Sequence, residues 1–150
     1  MSLIPGAARI VRMQDADVAT VATLEAEVSP APWSPGIFSD CLRAEYECWV
    51  VRADKVFGFA ILSLAPGEAH LLNIAIAPDR QGQGFGRKLL RKAANTAKNE
   101  GADRIVLEVR PSNLRARAIY ERAGFEFLSL REKYYGPPKK EDAFVYTLAL

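Results

Sequence analysis

Residues 80–88 read RQGQGFGRK, with glycine at every second position and cations at both ends. Just before them stands AHLLNIAIA (69–77), a nearly continuous apolar run closed by Pro78. Just after them Leu89, Leu90, Ala93, Ala94 and Ala97 recur at helical spacing, and Gly101 stops the pattern. A buried strand, a glycine turn and an amphipathic helix in that order restrict the chain to a layered α/β fold with the strand central. Alternate glycines let successive backbone N–H groups turn inward without Cβ obstruction. The helix adds free N–H groups and the positive end of its dipole. Such a loop suits a phosphate-bearing ligand.

The rest of the chain supplies the remaining layers. Ala8–Met13 reads as a short strand. Asp15 precedes a helix over Ala16–Val28, with Val18, Val21, Ala22, Leu24 and Ala26 as its apolar residues. SPAPWSP (29–35) is too proline-rich for helix and forms a shaped loop carrying Trp33. A short helix follows over Gly36–Ala44. Strands over Tyr46–Ala53 and Lys55–Ala65 turn at Asp54. Arg104–Val109 reads as a second buried strand. Asn113 caps a helix that Gly124 ends, with Ala116, Ile119, Tyr120 and Ala123 on one face. Strands over Phe125–Arg131 and Ala143–Leu150 close the chain. The expected order is β-α-α-β-β-β-α-β-α-β-β in one domain over residues 1–150.

Bulk properties exclude several classes. With 150 residues, 49% hydrophobic, and a net charge of +2, the chain is large enough for a core. That charge is too small to argue for nucleic acid. No apolar run approaches the ~18–20 residues of a membrane span, and the N-terminus lacks a signal-peptide core. A cytoplasmic location is expected. Cys41 and Cys48 fit a reducing compartment. One histidine, His70, and no CxxC pair leave no zinc pattern, so no metal is expected. His70 and both cysteines read as structural.

Spacing discriminates among phosphate loops. A P-loop needs a hydroxyl after its Gly-Lys pair, where this chain has Leu89. A dinucleotide fingerprint needs G-x-G-x-x-G, where this chain has G-x-G-x-G. Gln81, Gly84 and Gly86 satisfy Q-x-x-G-x-G. With NIAIAP (73–78), EVRPSN (108–113) and AIYERAGF (118–125), that motif resembles the GNAT acetyltransferase superfamily from about Arg9 to Leu150.

The resemblance implies a GNAT fold: a mixed, mostly antiparallel central sheet flanked by helices. It implies acetyl-CoA as cosubstrate, bound in the splay between the two central parallel strands. Ile74, Ala75 and Ile76 would lend backbone groups to the pantetheine arm. Gln81, Gly82, Gln83, Gly84, Phe85, Gly86 and Arg87 would hold the pyrophosphate, and Asn113 would bond the pantetheine. Arg87, Lys88 and Arg91 are further candidates for CoA phosphates. The implied chemistry is direct attack of a neutral amine on the thioester. Glu108 is the candidate base, its pKa expected to rise through burial in an apolar strand, with pairing to Arg110 as the competing structural role. A backbone N–H near Ile74 would serve the oxyanion. Tyr120 is the candidate acid for the leaving sulfur, against a purely packing role.

A narrower resemblance, to the ribosomal-protein-alanine (RimI-type) branch, rests on Pro32-Trp33-Ser34, Leu107–Arg110, Ser112-Asn113, Leu130-Arg131, Tyr134-Tyr135 and Glu141-Asp142-Ala143. It implies transfer to the N-terminal amine of a protein, an N-terminal alanine of a small-subunit ribosomal protein, with Trp33, Tyr134 and Tyr135 walling the peptide groove. Glu25, Glu27 and Glu45 are acidic groups suited to a basic peptide. The segment GPPKK (136–140) departs from the branch's acidic or small residues and bears on acceptor choice. A monomer or weak dimer is expected, without nucleic-acid or membrane partners. Two alternatives stay open: the same chemistry on a small amine such as an antibiotic or polyamine, and a non-catalytic acetyl-CoA-binding module.

Overall fold

The computed structural model describes residues 7–132 and 142–150. Its elements are β1 (Arg9–Arg12), α1 (Val18–Val28), α2 (Pro35–Arg43), β2 (Glu47–Arg52), β3 (Val56–Ala65), β4 (Glu68–Ile76), α3 (Phe85–Asn99), β5 (Arg104–Val109), α4 (Leu114–Arg122), β6 (Glu126–Arg131) and β7 (Ala143–Ala149). Short 3-10 turns at Asp15–Asp17 and Pro78–Arg80 add to the expected order. The strands run β1-β2-β3-β4-β5-β7-β6 in a seven-stranded sheet. β4 and β5 run parallel. The β1–β2, β2–β3, β5–β7 and β6–β7 ladders are antiparallel.

The chain divides into two compact units. The first takes residues up to Leu62 with Asn73–Leu89, the second Ser63–Leu72 with Leu90–Leu150. In the first, Trp49, Val50, Phe59, Ala60, Ile61 and Leu62 of the β2–β3 hairpin are buried, as are Val21 of α1 and Phe38 of α2. The Phe38 ring meets Phe59 edge-on at 5.3 Å. Ser34 starts α2 by accepting a hydrogen bond from Ile37 N on its hydroxyl. In the second, Ile105, Leu107 and Tyr146 are buried on paired strands, and α3 turns Leu90, Ala93 and Ala97 inward.

Three expectations are corrected. Ala26 is exposed and Glu25 is buried instead, because Glu25 follows Val18 and Val21 at i+7 and i+4 and so shares their face. β4 is not wholly buried: Leu72–Ala75 are half-exposed. Its ladder to β5 covers only Glu68–Leu71 against Arg104–Leu107, while β4 continues to Ile76. α3 begins at Phe85, so Gly86 belongs to its first turn rather than to the loop.

Candidate active site

The glycine turn is shaped by its backbone. Gly82 and Gly84 adopt φ of 80° and 87°, a region costing an L-residue about 1–2 kcal/mol. A Cβ at Gly84 would meet nothing within 4 Å, so that position borders open space. Gln81 Nε2 donates to Ile76 O at 2.9 Å, closing the end of β4 onto the turn. Ala77 N donates to Phe57 O at 2.7 Å. Phe85 packs edge-on against Phe57 at 4.8 Å and seats the first residue of α3. The Arg80 guanidinium, the cation at the strand end of the glycine segment, lies 4.7 Å above the Phe57 ring.

The Trp33 loop belongs to the same unit. Glu25 Oε2 accepts from Trp33 N at 3.1 Å and from Asn73 Nδ2 at 2.9 Å. A carboxylate 4% exposed with two donors is thus a strut joining α1, the proline-rich loop and β4. Glu25 is therefore not available as a surface charge. Trp33 is half-buried, its ring 5.3 Å from Phe38.

In the second unit β5 presents Glu108. Its Oε2 lies 2.5 Å from His70 Nε2, and its Oε1 accepts from Arg131 Nη1 at 3.2 Å. Burial pushes this carboxyl's pKa up, but the His70 hydrogen bond, the His70 charge and Arg131 together outweigh it, and the net shift is downward. This overturns the expected rise. The partners recorded for Glu108 are His70 and Arg131 rather than Arg110. His70 is no isolated structural histidine: it touches the candidate base.

Tyr120 is buried on α4. Its ring lies 5.8 Å from Phe125 and 6.4 Å from Tyr146. Tyr146 is itself fixed, its hydroxyl donating to Glu121 Oε2 at 2.7 Å and accepting from Arg117 Nε at 3.2 Å. Asn113 Oδ1 accepts from Ala116 N at 3.1 Å and so caps α4, as its position predicts. Tyr134 and Tyr135 lie outside the described residues, as does the 136–140 segment. Burial pushes the Cys48 thiol up to about 12 and raises Cys41, so neither is a ready thiolate. Among the described residues, no group of three His, Cys, Asp or Glu is placed to hold a metal, and no helix is long and apolar enough to cross a membrane.

Comparison with known proteins gives this geometry a context. The model of the acetyltransferase (GNAT) family matches residues 17–125. The chain is 35% identical over 139 residues to the ribosomal protein bS18-alanine N-acetyltransferase of Haemophilus influenzae, covering 91% of this chain and 94% of that protein. Against the Escherichia coli K12 enzyme of the same name, identity is 33% over 140 residues, with 92% and 95% covered. The crystal structure of the ribosomal-protein-S18-alanine N-acetyltransferase from Escherichia coli matches with a TM-score of 0.86 and 32% identity, over 95% of this chain and 94% of that one. The chain belongs to the acetyltransferase (GNAT) family.

Proposed function

We propose that this chain is an acetyl-CoA-dependent N-α-acetyltransferase acting in the cytoplasm on the N-terminal alanine of a small-subunit ribosomal protein, as a single domain and as a monomer or weak dimer. The observation that carries the acceptor is the 33–35% identity to bS18-alanine N-acetyltransferases over more than nine tenths of both chains. Nothing in this reading calls for a metal, a membrane or a nucleic acid.

The residues present fit acetyl-CoA, which when bound supplies the acetyl thioester. Gly82 and Gly84 hold their N–H groups in a turn that side chains would strain, Gly84 faces open space, and α3 starts at Phe85. In this reading Gln81–Arg87 hold the pyrophosphate. Ile74–Ile76, beyond the recorded ladder to β5, lend backbone groups to the pantetheine arm. Asn113 bonds that arm through the amide nitrogen that its cap leaves over. Trp33 borders the acceptor peptide, with Tyr134 and Tyr135 as its further walls. Glu108 serves removal of the acceptor's proton, and Tyr120 protonates the leaving sulfur. Gly84→Ala is expected to lower stability by about 1 kcal/mol and weaken acetyl-CoA binding about tenfold by calorimetry; wild-type affinity would remove the turn from the cofactor site.

The acceptor is tested by comparing kcat/KM for an Ala-starting ribosomal peptide with that for a polyamine and aminoglycoside panel. The peptide is expected to win by about 100-fold or more. Faster turnover of a small amine would sink the peptide reading while leaving acetyl transfer in place.

A further inference from the structure

The acetyl-transfer reading, on which this inference rests, leaves open which atom takes the acceptor's proton. We propose that it is Nδ1 of His70, with Glu108 and Arg131 positioning the imidazole. His70 is the only histidine of the chain. It pairs with Val106 in the β4–β5 ladder, and Glu108 lies two residues further along the same face of β5. Both Glu108 oxygens are engaged: Oε2 lies 2.5 Å from His70 Nε2, and Oε1 is 3.2 Å from Arg131 Nη1. The carboxylate side chain is 11% exposed and the imidazole 32%, so the imidazole is the member of the pair that reaches solvent.

Proton affinities favour the same assignment. An α-ammonium group has a pKa near 8, and carboxylates as a class lie near 4. Histidines as a class lie near 6.5, so transfer to an imidazole is uphill by less than about two units and to a carboxylate by about four. A carboxylate accepting from Nε2–H keeps the ring proton there and leaves the Nδ1 lone pair bare. Among the described residues of the neighbouring strands, the ionisable groups are engaged elsewhere or exposed. Glu68 on the same strand is paired with Arg104 of β5 at 2.7 Å. β3 carries no ionisable residue. On β7, Tyr146 is bonded to Glu121 and Arg117. β6 contributes Arg131, on Glu108, and exposed Glu126.

The step balances. The acceptor's ammonium nitrogen gives one proton to Nδ1, and the resulting imidazolium faces the Glu108 carboxylate. The freed lone pair forms the N–C bond as the C–S bond breaks, its electrons leaving on sulfur. Tyr120 gives its phenolic proton to that sulfur and recovers one from the acylated nitrogen. His70 returns its proton to solvent.

The test uses tag-free protein, where one histidine gives one set of ring signals. At alkaline pH, ¹⁵N NMR is expected to show Nε2 protonated and Nδ1 bare; an Nδ1-protonated ring overturns the proposal. His70→Gln is expected to lower kcat at pH 7 about 100-fold with the acetyl-CoA KM within about twofold. The deficit should shrink below about tenfold near pH 9.5, where the α-amine is already neutral. A kcat within about threefold of wild type at pH 7, or a deficit equal at both pH values, overturns the proposal. Exogenous imidazole should restore activity to folded His70→Ala, and no restoration counts against it. Wild-type protein that acetylates no amine removes the acetyl-transfer reading instead, and the ring tautomer then decides the dyad.

Discussion

Tyr120→Phe is expected to lower kcat about 100-fold or more while leaving the acetyl-CoA dissociation constant within about twofold. The substitution deletes one oxygen and keeps the ring against Phe125 and Tyr146, so the fold survives. α4 reaches this arrangement through Asn113, which caps its first turn, and through Arg117 and Glu121, which hold the Tyr146 hydroxyl one ring away. A proton donor must be held within hydrogen-bond reach of the departing atom, and the contacts of Tyr120 with Phe125 and Tyr146 restrict where its ring can go. Stopped-flow turnover with a thiol-reactive dye, combined with calorimetry for acetyl-CoA, measures both quantities. Unchanged turnover would remove Tyr120 from the chemistry.

Glu108→Gln has the second large effect, on rate and on pH dependence together. It removes the negative charge that faces the His70 imidazole and that accepts from Arg131 Nη1. kcat is expected to fall about 100-fold near pH 6.5 and less above pH 9, because the neutral amine is scarce only at the lower pH. A deficit equal at all pH values would make Glu108 a structural residue. Stability moves as well. Burial opposes ionisation of Glu108, but His70 and Arg131 hold its pKa below that of an ordinary glutamate. The ionised form therefore favours the folded state above that ordinary value, and the contribution is lost as pH falls through the folded value. The melting-temperature gap between wild type and Glu108→Gln should close in acid.

The fold was legible where local chemistry determines it. Proline-rich 29–35, the stop at Gly101 and the cap at Asn113 act within a few residues; the stop and the cap match the structure, and the loop ends one residue sooner than expected, with Pro35 opening α2. Family membership was legible for a related reason: Gln81, Gly84 and Gly86 encode a backbone shape rather than a surface. What escaped were pairings between segments distant in sequence. His70 and Glu108 lie 38 residues apart and meet through parallel strand register, which apolar periodicity does not reveal. Glu108 was expected to be either a buried base or a carboxylate paired to Arg110, and an unpaired buried one would shift upward. Glu25 carried a signal that was readable, since helical spacing from Val18 and Val21 places it on the core face. A glutamate at a core position implies buried donors, here Trp33 N and Asn73 Nδ2. Burial of Leu72–Ala75 was overestimated because an apolar run does not show where its neighbour's ladder ends.

The central claim is acetyl transfer to a protein's α-amino group, and tandem mass spectrometry of the product tests it most directly. Wild-type protein is incubated with acetyl-CoA and an Ala-starting ribosomal peptide that also contains an internal lysine. A single acetyl group on the N-terminal nitrogen is predicted, with none on the same peptide when its N-terminus is blocked. Acetylation of the lysine side chain, or of the blocked peptide, would contradict the account.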